Sequence, residues 1–63
     1  MANSEMALTR NPIYRFRNFG NAQSWVDHGV KPQRIMLGDD ERFWVVTPAD
    51  AARLERQGYE FAT

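Results

Sequence analysis

Arginine and aromatic side chains alternate along the segments of this 63-residue chain that favour β-strands. Seven of the eight basic residues are arginine, whose planar guanidinium stacks on rings and makes bidentate hydrogen bonds better than the lysine ammonium does. Arginines interleaved with aromatic faces can grip single-stranded nucleic acid through stacking and phosphate contacts. An exposed apolar patch also favours association with a protein. The candidate binding face, called here the arginine–tryptophan face, consists of Arg15, Arg17, Arg34, Met36, Arg42 and Trp44, with Phe19 beside them.

The charge balance gives this face no general attraction to nucleic acid or to anionic membranes. Eight basic residues offset eight acidic ones. Asp39, Asp40 and Glu41 lie at the edge of the same sheet, and the strands carry no RNP-like motif. We therefore expect a protein partner, including a second copy of the chain, that buries Trp44 and Met36 and pairs its acids with the arginines. Binding of single-stranded nucleic acid by the same face is the alternative.

The sequence supports a catalytic or metal-binding site less well than it supports a binding face. His28 is the single histidine and the chain has no cysteine, which excludes multi-histidine and thiolate metal sites. Ser24 lies four residues before His28 on the same side of a helix, but no acid completes a triad. The acids of residues 39–41 lack the EF-hand spacing and fit a solvated turn. We expect a non-enzymatic protein with no cofactor and no metal.

Three segments favour the strands that position the arginine–tryptophan face. The turn signal Asn11-Pro12 precedes a first strand over residues 13–19, where aromatic and β-branched residues alternate with polar ones. Pro32 bars helix continuation, so a second strand follows over residues 33–37. A third strand occupies residues 42–46.

A hairpin joins the second and third strands. A three-residue loop at 39–41 pairs Leu37 with Phe43 and Ile35 with Val45, which gives one apolar face. A two-residue loop mixes arginine into both faces, because a slip by one residue turns every side chain to the other side. We therefore predict the longer loop.

The first helix is expected to begin after Asn21, whose side chain can accept a backbone N–H. Ala22, Trp25, Val26 and Gly29 then fall on one helical stripe, and the glycine supplies a left-handed stop.

The second helix has the stronger signals. Thr47 is the predicted N-cap, Pro48 the first helical residue and Asp50 the negative charge of the first turn. The helix is expected to run to Gln57 and to stop at Gly58. A short terminal strand is predicted over residues 59–61.

The two halves of the chain repeat one pattern. Arg15-Phe16 is echoed by Arg42-Phe43, and four helix and stop positions recur at a constant offset of 29. The equivalent positions are Ala22 and Ala51, Trp25 and Leu54, Gly29 and Gly58, and Val30 and Tyr59. The repeat predicts two strand–helix–strand units that share one sheet.

The resulting element order, β-α-β-β-α-β, resembles that of the ferredoxin-like split βαβ sandwich. We expect an α+β fold of two layers, with a small antiparallel or mixed sheet and two short helices on one of its faces. The resemblance implies no function. The alternative is that the last segment stays undocked or is donated across a dimer. The helix residues expected in the core are Trp25, Val26, Ala51 and Leu54. They pack against the covered face of the sheet, which consists of Tyr14, Phe16, Ile35, Leu37, Phe43 and Val45.

The chain is expected to form a flexible N-terminal arm over residues 1–10 and a single α+β domain over 11–63. A domain of this size buries only about 60% of its unfolded surface, and without disulfides association is the remaining stabiliser, so we expect a homodimer. No apolar run approaches the ~20 residues of a membrane span, and residues 1–10 lack a secretory signal pattern. These observations indicate a cytoplasmic adaptor or inhibitor that docks through its open sheet face or an edge strand, of a type that phages and other mobile elements encode.

Overall fold

Four short strands and two helices make up the fold. The structure is a computed structural model that describes residues 11–62, so the arm predicted for residues 1–10 lies outside the described residues. Within that described range no helix is both long and apolar enough to cross a membrane. In chain order the elements are β1 (Tyr14–Phe16), α1 (Phe19–His28), β2 (Arg34–Leu37), β3 (Phe43–Val46), α2 (Pro48–Arg56) and β4 (Glu60–Phe61).

The small α+β class, the order of the elements and the hairpin register predicted from the sequence are confirmed. In the β2–β3 hairpin Leu37 lies opposite Phe43 and Ile35 lies opposite Val45. The register follows from alternation, since a slip by one residue would turn the buried set of each strand to its other side.

The sheet has four strands in the order β1-β3-β2-β4, with every neighbouring pair antiparallel. The last strand docks beside β2 of its own chain, with Phe61 opposite Met36, so it is not left undocked. The exact ferredoxin-like order is not confirmed by this strand order. The prediction that both helices share one face is wrong, because α1 and α2 lie on opposite faces.

The strand order explains why the helices separate. The α1 crossover joins the parallel strands β1 and β2, and the α2 crossover joins the parallel strands β3 and β4. Both crossovers step in the same direction across the sheet, but β1 and β3 run antiparallel. Connections between parallel strands are almost always right-handed. A right-handed crossover from each of two antiparallel strands, taken in one direction, places the two helices on opposite faces.

The core beneath α1 is small. Ala22 of the helix is buried against Ile35 and Val45 of the sheet. Partly buried residues surround this centre, and they are Phe16, Phe19, Val26, Phe43 and Ala62. The packing of α1 on the sheet therefore depends largely on partly exposed side chains around this small centre.

The core beneath α2 is larger and better covered. Leu54 and Ala51 of the helix meet Met36, Trp44 and Val46 of the sheet, and all five are buried. Ile13, Tyr59 and Phe61 close its rim. Most of the fully buried apolar side chains lie here, so this face carries most of the hydrophobic stabilisation.

The first helix begins earlier than the sequence predicts. Asn18, not Asn21, is the N-cap, and its side chain accepts a hydrogen bond from the backbone N–H of Asn21 at 2.9 Å. Phe19 therefore belongs to the helix, and β1 is shorter than the predicted strand over residues 13–19. Gly29 has φ −79° and ψ 152°, an extended conformation, so the predicted left-handed stop is wrong at this position.

The second helix begins as predicted. The Thr47 hydroxyl accepts a hydrogen bond from the backbone N–H of Asp50 at 3.2 Å, and Pro48 is the first helical residue. The helix ends at Arg56, with Gln57 as its C-cap, and Gly58 follows with φ 103°. A left-handed glycine after the last turn is the expected way to end a helix.

Asp50 also ties the chain before β1 to the start of α2. Its carboxylate is buried, and Oδ2 accepts hydrogen bonds from the backbone and side-chain nitrogens of Asn11 at 3.1 and 3.3 Å. The other oxygen pairs with Nη1 of Arg53 at 2.7 Å. A buried carboxylate needs such partners, so this cluster is part of the folded framework.

Candidate functional site

The arginine–tryptophan face predicted from the sequence is not an open surface. Its strand residues do point in one direction, since Trp44 lies opposite both Arg15 and Met36 in the sheet. That direction is toward α2, and Trp44 and Met36 are 1% and 0% exposed. A partner therefore cannot reach either side chain without displacing the helix.

The hairpin loop closes over the edge of Trp44. The indole Nε1 of Trp44 donates a hydrogen bond to Oδ1 of Asp40 at 3.0 Å, and the centre of the Trp44 ring lies 5.3 Å from the centre of the Tyr59 ring. Asp39 accepts a hydrogen bond from the Tyr59 hydroxyl at 3.1 Å. The three loop acids are exposed in a turn, as the sequence predicts, and Asp39 and Asp40 in addition bind the side chains of Tyr59 and Trp44.

Two of the predicted binding arginines lie on rings of their own chain. The guanidinium of Arg15 is 5.2 Å from the centre of the Trp44 ring, and its Nε is 3.6 Å from Oδ2 of Asp40. Arg34 lies 5.6 Å from the centre of the Phe61 ring. Cation–π contacts of this kind stabilise the fold by about 0.5–1 kcal/mol at exposed sites.

The other two predicted arginines, Arg17 and Arg42, lie together at one end of the sheet. Arg17 directly follows β1, Arg42 directly precedes β3, and Phe16 lies opposite Phe43 in the register. Both arginines line a surface concavity of about 350 Å³, together with Asp40 and Glu41.

The exposed aromatic surface lies instead beside α1. The rings of Tyr14 and Trp25 are 5.0 Å apart, and these residues are 44% and 45% exposed. Phe16 approaches the same Trp25 ring at 5.9 Å, and Val30 is 98% exposed. A groove of about 300 Å³, called here the aromatic groove, is lined by Tyr14, Trp25, His28, Gly29, Val30, Lys31 and Gln33.

The internal repeat marks the aromatic groove as unusual. At the offset of 29, Trp25 corresponds to Leu54, which is fully buried, and Val30 corresponds to Tyr59, which closes the core rim. Ala22 and Ala51 are both buried, so the two helices dock with the same position inward. The first unit therefore leaves exposed two apolar side chains whose counterparts the second unit packs.

Sequence reasoning missed this groove because it assigned Trp25 to the core. An apolar residue on the helical stripe is normally buried. Here α1 packs through Ala22 and Val26, while Trp25 leans over the first residue of an edge strand. The available signal was the repeat itself, in which the larger tryptophan is aligned with a leucine.

His28 and Ser24 form a helical pair rather than a catalytic one. Nδ1 of His28 lies 2.7 Å from the backbone carbonyl of Ser24 and 3.5 Å from its hydroxyl. A short contact with a carbonyl oxygen requires a proton on Nδ1, so that nitrogen does not accept the serine proton. Within residues 11–62, no three histidine, cysteine or acidic side chains come close enough to share a metal ion.

Known proteins add no guidance to this geometry. The chain matches no protein-family model, no curated protein and no solved structure. Its function is therefore argued from the aromatic groove and the edge of the sheet alone.

Proposed function

We propose that this protein is a small non-enzymatic interaction module that binds another protein through the aromatic groove and the outer edge of β1. The observation that carries the proposal is the half-exposed ring pair of Tyr14 and Trp25 beside the almost fully exposed Val30. Aromatic residues held by a rigid scaffold dominate the binding energy of many protein interfaces.

The chemistry of the groove suits an apolar side chain with a polar neighbour. Tyr14 and Trp25 supply the apolar wall, and Lys31 and Gln33 supply hydrogen-bond donors at its rim. No acidic residue is among the side chains that line it. A partner with an apolar group and negative charge is therefore favoured over a basic one.

The adjacent strand offers a second means of attachment. Within the described part of the chain β1 pairs with β3 alone, which leaves its other side without a strand neighbour from residues 11–62. An unpaired strand edge is a template for an incoming extended segment, which adds main-chain hydrogen bonds to side-chain contacts. Edge pairing and the aromatic groove lie side by side because Tyr14 belongs to both.

Site-specific photocrosslinking tests the proposal. A photoreactive amino acid at Val30 leaves the fold intact, because this side chain is 98% exposed. We expect a discrete protein adduct in cells of the native host, and its loss when Trp25→Ala is introduced in the same chain. The matched control carries the photoreactive group at Ala52, an exposed position of α2 remote from the groove.

The result would contradict the proposal if the two crosslinking positions gave the same products, or if the Trp25→Ala change left the Val30 adduct intact. An adduct with the mass of two chains identifies a second copy as the partner, which is the homodimer expected from the sequence.

Single-stranded nucleic acid remains the second candidate, because Trp25 is open to base stacking and Arg17 and Arg42 line one concavity. The burial of Trp44 removes the stacking residue on which the sequence argument for nucleic acid depended. Two results would identify nucleic acid as the partner instead of protein. Nuclease digestion would shorten the Val30 adduct, and binding would fall steeply between low and moderate salt.

A further inference from the structure

The arginine pair at the end of β1, Arg17 and Arg42, makes no direct ion pair with a carboxylate of residues 11–62. The ion pairs within residues 11–62 involve Arg15 and Arg53, so no carboxylate of this part of the chain lies within 4.0 Å of Arg17 or Arg42. Both residues nevertheless line one concavity of about 350 Å³.

Two acids, Asp40 and Glu41, line the same concavity, but neither comes within 4.0 Å of a guanidinium nitrogen of Arg17 or Arg42. Asp40 already accepts hydrogen bonds from the Trp44 indole and from the backbone N–H of Arg42, and it pairs with Arg15. Like charges placed opposite each other on neighbouring strands are destabilising. A guanidinium group is suited to a carboxylate, which it binds through two parallel N–H···O bonds, and two arginines line this concavity.

The arginine pair and the aromatic groove lie along the same strand edge. Tyr14 starts β1 and Arg17 follows its end, three residues later, a distance of about 10 Å in extended chain. Successive side chains of a strand alternate between faces, so positions three apart point to opposite sides. Tyr14 accordingly lies on the α1 side with the groove, while Arg15 lies on the α2 side.

We infer that the partner presents an extended segment with an apolar side chain and a carboxylate three residues apart, paired along the outer edge of β1. The apolar side chain enters the aromatic groove, and the carboxylate reaches Arg17 and Arg42 on the other side of the same edge. The incoming strand has the residue spacing of β1, so the odd interval directs its two side chains to opposite faces. This inference rests on the proposed protein-binding function and specifies its partner.

Designed peptides test the inference on the full chain. The probes are end-blocked eight-residue peptides built on threonine, which favours an extended backbone. Each probe carries one leucine and one glutamate. The glutamate lies three positions after the leucine in one probe and three positions before the leucine in the other. These two probes cover both strand directions. One matched probe replaces the glutamate by glutamine, and another moves it to two positions from the leucine. Binding is followed by Trp25 emission in a Trp44→Phe background and by backbone amide chemical shifts.

We expect one direction of the glutamate probe to bind about fivefold tighter than its glutamine form, the scale of one exposed ion pair. The double variant Arg17→Gln, Arg42→Gln should bind both forms equally, whereas Arg56→Gln, on exposed helix surface, should keep the difference. On binding, the backbone amide chemical shifts of β1 and of the C-terminal end of α1 should change.

The inference fails if neither probe binds at millimolar concentration, if the double variant keeps the preference for glutamate, or if the two-position spacing binds equally well. A Val30 photoadduct that needs Trp25 would still support the proposed function in each of these cases. Loss of that adduct rejects the proposed function itself. If the protein binds oligothymidylate and the arginine double variant abolishes that binding, the arginine pair binds phosphate and the inferred carboxylate ligand is wrong.

Discussion

The indole nitrogen of Trp44 donates its hydrogen to Oδ1 of Asp40 across 3.0 Å, which joins the largest side chain of the core to the hairpin loop. The second carboxylate oxygen of Asp40 pairs with Arg15, whose guanidinium lies over the Trp44 ring. Three elements of structure, the loop, β1 and β3, therefore meet at one carboxylate. Asp40 is exposed to solvent, as the sequence predicts, and it also binds two side chains of the fold.

Replacement of Asp40 by alanine should lower the free energy of unfolding by about 1–3 kcal/mol, because it leaves the Trp44 N–H without its acceptor. Asp40→Asn keeps an acceptor oxygen and should lower it less. Urea denaturation of both variants measures the difference. Equal losses for the two variants would show that charge, and not the hydrogen bond, is the stabilising feature.

Gly38 lies so close to the Trp44 ring that a side chain does not fit. A Cβ atom at this position would lie well inside van der Waals contact with Nε1 of Trp44. Gly38→Ala should therefore destabilise the protein by about 1–3 kcal/mol through overpacking. The matched control is Gly20→Ala in α1, where the nearest atom is the Asn18 Oδ1 at 3.5 Å.

The control should raise the midpoint of thermal unfolding, since alanine favours a helix by about 0.5–1 kcal/mol over glycine. Comparable losses at both positions would contradict the tight approach of the loop to Trp44.

Glu41 holds a left-handed backbone conformation, with φ 64°. A side chain with a Cβ pays about 1–2 kcal/mol for this conformation, so Glu41→Gly should stabilise the protein by about 0.5–1 kcal/mol after the entropy of the added glycine. Glu41→Gln, which changes charge but keeps the strain, should leave stability nearly unchanged. Ala52→Gly, at an exposed helical position, should cost about 1 kcal/mol. Guanidinium unfolding of the three variants tests the argument, which a loss of stability in Glu41→Gly would refute.

The two tryptophans should differ in their access to solvent. Trp25 is 45% exposed and Trp44 is 1% exposed. In the variant Trp44→Phe the remaining Trp25 should emit at long wavelength and be quenched efficiently by acrylamide. In Trp25→Phe the remaining Trp44 should emit at shorter wavelength and resist quenching. Similar quenching constants in the two variants would place α2 away from the sheet face that it covers here.

Local signals in the sequence predicted the parts of the fold that local rules control. Alternation in β2 and β3, with a loop at 39–41, determines the register, and the Thr47-Pro48 pair determines the start of α2. These features depend on neighbours in the chain, so one sequence suffices to find them. The earlier start of α1 was missed because Asn18 and Asn21 are both acceptable N-caps.

The faces taken by the helices could not be predicted in the same way. Both sides of the hairpin carry apolar residues, with Ile35 and Val45 on one side and Met36 and Trp44 on the other. The choice of side for α2 depends on where β4 docks, and this strand has two residues, Glu60 and Phe61. An element so short has almost no pattern of its own. The open binding face was therefore misplaced, although four of its residues do share one side of the pleat.

The interleaving of the two strand–helix–strand units has a consequence for the order of assembly. Only the β2–β3 hairpin, among the strand pairs of residues 11–62, joins segments that are adjacent in the chain. The outer strands reach it through helical crossovers, and such distant contacts close more slowly than a hairpin does. We expect the sheet to grow outward from its centre, each flank maturing with its own helix. The flank that carries Tyr14 stays tied to the larger core through Arg15 at the Trp44 ring and Asn11 at Asp50, so a change in that flank is felt on both faces of the sheet.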